Sequence, residues 1–405
     1  MRTALTLVTL LFVALCSAGP LAAEDIDYRT HYRTALEVYD GADHAGYLTA
    51  LLDMVEAMPP INTSPADNLN RPFLQYHVAR GHALAGDHET AIQWLNLILE
   101  EGIEGLMISQ AIHDSAFNLT RQTRAWRQLQ RKTARVPILT TPLGGPLYAL
   151  EGAGCTLIAS VGPDGTLLVD SGYAPASRAI RRALRRLGSY EIKWIVNTHN
   201  HDDHVGGNLE LGQKATIIAH PLTRKAMAES QTFIDQELPP HPKGALPNTT
   251  IAQASAVHIN GEEVRIIPLP GHTEGDVIVH FTRSRVIHMG DRFFPDPAVV
   301  TFTYPGTDLF SYMTTMDTLV ENLSDDGLVV SGHSPAVAFS YLKESHDALN
   351  RAITWVQGNL DDGYDLEAMK AQGAPEEWAA WSKGRQNEWM TFIHDALVAS
   401  APGNL

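Results

Sequence analysis

The sequence predicts a layered α/β domain flanked by helical segments on both sides, and three observations carry that prediction. Apolar residues recur at three- and four-residue spacing up to about residue 135. A Pro/Thr/Gly-rich stretch at 136–146 then changes the period, and short apolar runs alternate with helical patterns. Beyond about Ala336 the strand patterns disappear. At ~150 residues per domain, 405 residues suggest two or three domains, and a 44% hydrophobic composition supplies enough apolar surface for sizeable cores.

Residues 1–23 read as a secretory signal. Arg2 precedes an apolar stretch from Ala4 to Cys16, and small residues lead to Ala22-Ala23 before Glu24-Asp25. About 13 apolar residues fall short of the ~20 that span a bilayer, and no other apolar run approaches that length. The expected location is exported, periplasmic or secreted. Removing the signal leaves Cys155 as the one cysteine, so stability would rest on packing or metal without a disulfide.

Residues 24–135 are expected to be all-α, with breaks at Asp40-Gly41, Met58-Pro59-Pro60 and Gly86-Asp87. The clearest unit runs over 72–102, with one helix carrying Phe73, Tyr76, Val78 and Ala79 and a second carrying Ala91, Ile92, Trp94, Leu95, Ile98 and Leu99. This unit resembles a tetratricopeptide repeat, in which small residues let paired helices approach. The resemblance implies a surface for a peptide or protein partner. Trp94 and Trp126 read as core residues.

Residues 136–340 carry the α/β pattern. Strands are expected at 155–162 and 166–170 around the Pro163-Asp164-Gly165 turn, followed by a helix at 174–187 and a buried strand at 192–198. A helix after His204, a strand at 216–219 and further strands through Met289 complete it. Residues 341–405 form a C-terminal helical extension, with a long helix to about Leu360 and a tail carrying Trp378, Trp381 and Trp389.

Charge excludes one class of partner. Against 46 Asp+Glu stand 30 Lys+Arg, a formal net charge of −16, and nucleic-acid affinity rests largely on Lys/Arg displacing counterions. A small-molecule substrate is the expected partner.

The chemistry concentrates after the strand ending at Thr198. His199-Asn200-His201-Asp202-Asp203-His204 places four potential metal ligands within six residues. At a spacing of two, His199 and His201 point the same way, while Asp203 and His204 can diverge toward a second ion. Gly206 and Gly207 permit close packing where the next helix begins.

This segment resembles the His-x-His-x-Asp-His signature of the metallo-β-lactamase superfamily, and the remaining motifs follow in order. Leu167-Leu168-Val169-Asp170-Ser171-Gly172 looks like the first motif, Leu269-Pro270-Gly271-His272-Thr273-Glu274-Gly275-Asp276 the third, Gly290-Asp291 the fourth and Ser331-Gly332-His333 the fifth. The resemblance covers roughly residues 137–340 and implies an αββα sandwich. It implies that His199, His201 and His272 hold one ion, that Asp203, His204 and His333 hold a second, and that Asp291 bridges them. Asp170 would support the loop without coordinating. Five histidines and two aspartates suit two zinc ions per chain and tolerate iron or manganese. Paired ions would sit about 3.5–4 Å apart and bring the pKa of a bridging water toward ~7.

The implied function is an exported dinuclear-metal hydrolase, with zinc the expected metal, that attacks an ester-like, thioester, lactone or phosphodiester substrate, with Asp203 and Asp291 as its catalytic carboxylates. In the family, dedicated β-lactamases generally lack the bridging aspartate. Promiscuous β-lactamase activity, a mononuclear iron persulfide dioxygenase and a partner-binding adaptor acting through the helical domain are the alternatives. Cys155 reads as buried packing and His288 as structural. His220 and His241 are weaker pocket candidates, and Arg292, Phe293, Phe294 and Tyr304 are expected near the substrate mouth because loops at strand ends carry specificity. Asp202 is expected to contact solvent or the ligand shell.

Overall fold

The structure is a computed structural model that describes residues 44–57, 67–100, 108, 111–112, 114–133, 135–189, 191–233, 236–238, 240–295, 298–300, 309–323, 325–378 and 386–400. The expected signal at 1–23, Tyr304 and Trp381 lie outside these residues.

Among the described residues four α-helices come first: α1 (His44–Ala57), α2 (Asp67–Leu84), α3 (His88–Glu100) and α4 (Arg124–Thr133). Gly86 takes φ +81° after α2, a left-handed conformation that glycine adopts without a Cβ penalty. Asp87 then accepts the Thr90 amide at 3.2 Å and caps α3. Ala79 and Ala91, both fully buried, let α2 and α3 approach, and Tyr76, Leu95, Ile98, Phe117, Trp126 and Leu129 complete the helical core. Trp94 packs against that core half-buried.

The α/β part is built on two sheets. The first has the order β1 (Leu139–Gly144), β2 (Leu147–Glu151), β3 (Leu157–Gly162), β4 (Gly165–Val169), β5 (Ile192–Val196), β6 (Thr216–Ala219) and β9 (Thr249–Thr250). A short hairpin, β7 (Gln231–Phe233) with β8 (Gln236–Leu238), interrupts the chain before β9. The second sheet has the order β10 (Ser255–Ile259), β11 (Glu262–Pro268), β12 (Val277–Phe281), β13 (Val286–His288), β16 (Leu328–Val330) and β17 (Val337–Ala338). Between β13 and β16 lies the hairpin β14 (Phe293–Pro295) and β15 (Ala298–Val300).

The alternation of side chains along each strand sorts residues between two layers. Ile158, Leu167, Val169 and Val196 of the first sheet meet Val264, Ile266, Val279 and Phe281 of the second in the central core. Leu157, Ala159, Leu168 and Ile195 point to the other face and pack on Ile180, Ala183 and Leu184 of α5 (Ser177–Arg186). Three short helices, α6 (Asp202–Val205), α7 (Asn208–Leu211) and α8 (Pro221–Ala228), follow β5 and β6.

The outer face of the second sheet is covered by α9 (Leu309–Asn322), α10 (Ser340–Asp361), α11 (Leu366–Gln372) and α12 (Gln386–Ala399). Ile278, Ile287 and Val329 of the sheet share one core with Leu342, Leu349, Trp378 and Ile393. The C-terminal helices are therefore a layer of the sandwich, because without them this apolar sheet face would meet water. The layers are helix, sheet, sheet, helix, the αββα arrangement expected from the motifs.

Three local expectations need correction. The Pro/Thr/Gly-rich stretch contains a strand, β1, where Pro142 is tolerated because the strand is at the sheet edge. Strands do not end at Ala336, since Val337 and Ala338 pair antiparallel with β16. The helix expected after His204 begins earlier, at Asp202, and includes His204 itself.

Candidate active site

The strand ends deliver the candidate residues to one edge of the sandwich. β5 ends at Val196, and the next residues are stitched to both neighbours: Asn197 N–H donates to Ile218 O at 2.9 Å, and Thr198 N–H donates to Asp170 Oδ1 at 2.7 Å. Asp170, just past β4, adopts φ +64°, uncommon for a residue with a side chain. Its carboxylate also accepts from Thr198 Oγ1 at 2.8 Å and from His204 Nδ1 at 2.7 Å. A carboxylate only accepts, so the His204 proton sits on Nδ1 and Nε2 faces the cluster.

The other loops are held as tightly. Asp276 Oδ2 accepts the amides of His272 and Thr273 at 2.7 and 2.8 Å, and Thr273 Oγ1 donates to Oδ1 at 2.6 Å. Beyond β13, His288 Nε2 donates to Thr156 O at 2.7 Å, and its Nδ1 accepts the Gly290 amide at 3.0 Å. That bond holds the turn carrying Asp291. Gly332 N–H donates to Gly290 O at 2.7 Å, and Gly332 O accepts from Thr156 N at 2.6 Å, so the loop after β16 sits directly over that turn.

Two sets of ligand-type atoms result. His199, His201, His272 and Asp291 form one, and Asp203, His204, Asp291 and His333 form the other; within each set the atoms lie within 4.8 Å of one another. Asp291 belongs to both. Its Oδ2 is 4.0 Å from His199 Nε2, 3.6 Å from His272 Nε2 and 3.2 Å from His333 Nε2, while Oδ1 is 3.3 Å from His204 Nε2. Asp203 Oδ2 is 3.1 Å from His333 Nε2 and 3.4 Å from His204 Nε2. All seven residues named from the sequence meet here. His199, Asp203, His204 and Asp291 are buried, and the His333 side chain is 36% exposed, which makes it the solvent side of the cluster.

The electrostatics divide along the same line. Burial keeps His199, His201 and His272 below their ordinary range, His272 at about 3, so all three are neutral imidazoles with lone pairs to offer. For the other set burial opposes charge and the neighbours overcome it. Asp291 and Asp203 raise His333 to about 10, and Cys155 with the surrounding carboxylates raises His204. Burial likewise works against the charge on Asp203 and Asp291, and the two imidazoles hold both carboxylates well below their usual values.

Two features show that this donor set suits a cation. Nε2 of His199 is buried with no hydrogen-bond partner among the described residues, a costly state for an imidazole nitrogen. A Cβ placed on Gly332 would lie 2.0 Å from Asp291 Oδ1 and 2.8 Å from His204 Cε1, so the glycine keeps a space beside the shared carboxylate open. Nitrogen and carboxylate donors around one shared aspartate are the ligand chemistry of zinc and its neighbours.

Several secondary expectations resolve differently. Phe294 flanks the cluster, its ring parallel to that of His333 at 6.2 Å and 5°. Arg292 and Phe293 are not at the mouth. Arg292 is buried with its guanidinium over the Tyr312 ring at 4.6 Å, and Phe293 is fully buried in the core beneath the second sheet. Sequence position cannot separate them, because neighbouring residues on β14 point to opposite faces. His220 caps α8 by accepting the Leu222 amide, and the His241 amide bonds Met227 O. Cys155 is buried as expected, yet its sulfur lies among the ligand-type atoms of Asp170 and His204, and burial raises its thiol to about 12. Thr198 and Thr156, which help position the cluster, carry no motif of their own, whereas Asp276 closes the third motif.

Comparison with known proteins agrees with this arrangement. The family model of the metallo-β-lactamase superfamily matches residues 151–333. The chain is 31% identical over 130 residues to a hydroxyacylglutathione hydrolase of Mesorhizobium japonicum, covering 32% of this chain and 43% of that protein. It is 32% identical over 120 residues to the hydroxyacylglutathione hydrolase of Gloeobacter violaceus, covering 29% and 41% respectively. The chain thus spans less than half the length of these curated relatives. Among solved structures, a double mutant of a sec-alkyl sulfatase shares the fold at a TM-score of 0.50 and 16% identity, over 69% of this chain and 52% of that one.

Proposed function

Because residues 151–333 form a metallo-β-lactamase superfamily domain, we propose that this chain is an exported dinuclear metallohydrolase whose preferred substrate is a thioester. The observation that carries the reading is the pair of ligand sets sharing Asp291. His199, His201 and His272 would hold the first ion, Asp203, His204 and His333 the second, and Asp291 both. Two zinc ions bound there would supply Lewis-acid polarisation of the scissile carbonyl and water made acidic enough to react near neutral pH.

The chain's own contribution is positioning. Asp170 keeps the His204 proton on Nδ1, Asp276 fixes the His272 loop, and His288 fixes the turn of Asp291. Asp203 and Asp291 stay ionised at neutral pH, so they offer charge and proton-accepting oxygens to groups at the cluster. His333 and Phe294 form the side on which a substrate would arrive. The thioester choice rests on the relatives named hydroxyacylglutathione hydrolase. Export rests on the signal-like residues 1–23, and the tetratricopeptide-like reading on the α2–α3 pair.

The deciding experiment is elemental mass spectrometry of the purified full chain, paired with thioester, lactone, phosphodiester and β-lactam substrates. About two zinc per chain with thioester turnover dominant is the expected result. One iron per chain with oxygen uptake would replace this reading with the dioxygenase. Metal without hydrolysis of any class would overturn the hydrolase.

A further inference from the structure

Arg292 is the largest fully buried charged side chain among the described residues, 1% exposed although it directly follows Asp291. Arginine is almost never taken wholly out of water without compensation, so a guanidinium kept there calls for a physical reason.

The reason lies in the loop that carries His272. Residues 269–276 are closed on themselves: Leu269 N–H donates to Asp276 O at 2.9 Å, Gly271 N–H donates to Thr273 O at 3.0 Å, and the Asp276 carboxylate takes the amides of His272 and Thr273. These bonds fix the shape of the loop and leave its position over Asp291 to contacts with the rest of the fold. Its far end is held by Thr223 Oγ1, which donates to Gly275 O at 2.7 Å, and by the Val277 amide, which donates to Thr198 O at 2.8 Å.

The near end rests on Arg292. A Cβ on Gly271 would lie 2.1 Å from Nη1, 2.3 Å from Cζ and 2.6 Å from Nη2, so the guanidinium lies against the backbone one residue before His272. The same Cζ is 4.6 Å from the centre of the Tyr312 ring on α9, a cation–π distance. Its charge is also near enough to Asp276 for the two to attract. One side chain therefore touches the loop of His272 and the covering helix α9 while its own backbone forms the turn of Asp291.

We propose that Arg292 is a positioning residue for the first ligand set. It seats the backbone at Gly271 and His272 against the turn of Asp291 and so sets the approach of His272 Nε2 to Asp291 Oδ2, 3.6 Å apart. Its consequence for metal rests on the dinuclear reading above, whereas the seating of the loop needs no metal. Shape and charge both enter: a planar guanidinium lies flat on a peptide and stacks on a ring, an ammonium is a compact point charge, and a thioether carries no charge. Asp203, His204 and His333 belong to other segments, so the second set shares only Asp291 with this device.

Arg292→Lys and Arg292→Met in the full chain test it, with zinc titration against a chromogenic chelator and the visible bands of the cobalt-loaded protein as readouts. Each variant should weaken one of the two ions by roughly 10–100-fold, the range for a group that orients a ligand, and leave the other near its parent affinity. Arg292→Met combined with Asp170→Ala should weaken both ions; a double variant no worse than Asp170→Ala alone would overturn the assignment to the first set. Lys keeps the attraction to Asp276 and should hold the first ion better than Met, even where Met, which needs no counter-charge, melts higher. The reverse order would make the role one of packing and overturn the proposal. Should Arg292→Met misfold by circular dichroism, Tyr312→Leu, which removes the ring against the guanidinium, should give the same selective loss. Hydrogen exchange of the metal-free chain separates this inference from the hydrolase reading: the amides of His272 and Thr273 should exchange several-fold faster in the variants. Unchanged exchange, unchanged zinc affinities or equal weakening of both ions would overturn the proposal. A parent that binds two ions and hydrolyses no thioester would overturn the thioester reading and leave this one standing, and with a parent that binds no metal the exchange result alone would uphold or overturn the seating of the loop.

Discussion

Oδ2 of Asp170 lies 2.7 Å from Nδ1 of His204, with both side chains fully buried. The pair connects the end of the fourth strand to the short helix α6 after the fifth, and it aims His204 Nε2 toward Asp203 and Asp291. The same carboxylate accepts two bonds from Thr198, so one side chain orients both a candidate ligand and the backbone beside His199. Asp170→Ala should therefore lose the second ion before the first. Removal of a carboxylate that orients a ligating histidine typically costs 10–100-fold in metal affinity. Titration with a chromogenic chelator should show one tight zinc where the parent protein shows two, and two unchanged affinities would refute this role.

Asp291→Asn addresses the shared carboxylate. The amide keeps the shape but removes the charge that faces four imidazoles. Turnover should fall by two or more orders of magnitude, comparable to loss of a preorganised electrostatic contact, while circular dichroism stays that of the parent. Full activity would exclude a dinuclear centre.

Gly332→Ala is the steric counterpart. The added methyl would occupy the space 2.0 Å from Asp291 Oδ1 and 2.8 Å from His204 Cε1. Since that space adjoins both ligand sets, metal content should drop for the second ion at least, and the metal-free protein should lose about 1–3 kcal/mol of stability because buried groups must shift. Ala at the exposed Gly358, where a Cβ meets nothing, is the control: it should leave metal content unchanged and, lying inside α10, raise stability slightly.

His280 predicts an acid response separate from the cluster. It lies on β12 opposite Arg265 and Ile287, and burial, with Arg265 second, lowers its imidazole to about 4. In the unfolded chain the value returns to about 6.5. The folded state thus binds the proton more weakly, and the contribution is complete above pH ~6.5 and lost as pH falls toward 4. For His280→Gln, the drop in urea midpoint between pH 7.5 and pH 5 should be smaller than for the parent. An identical drop would mean that His280 is not kept neutral by its surroundings.

Much of the candidate site was legible in the chain because each ligand type sits immediately past an apolar strand. His199, His201, Asp203 and His204 follow Val196, Asp291 follows His288 with two residues between, and His333 follows Val330 likewise. The neighbours on β14 were not legible. Phe293 enters the core and Phe294 faces His333, a choice made by the pleat direction of a short hairpin. The supporting residues were invisible for a different reason. Thr198 and Thr156 are ordinary polar residues until the sheets pack, and only then does the Thr198 amide donate to Asp170 Oδ1 and the Thr156 amide to Gly332 O.

The sequence by itself determined a layered α/β domain, through strand and helical spacing, and its resemblance to the metallo-β-lactamase superfamily implied the αββα sandwich and the seven clustered residues. Tertiary structure alone decided that the C-terminal helices are a layer of the sandwich, since the apolar face they cover exists only once the second sheet has formed. It also decided that Asp291 serves both ligand sets and that Asp170 controls His204. Those relationships join residues up to 92 positions apart, and only the closing of two sheets on a common core brings them within 4.0 Å of one another.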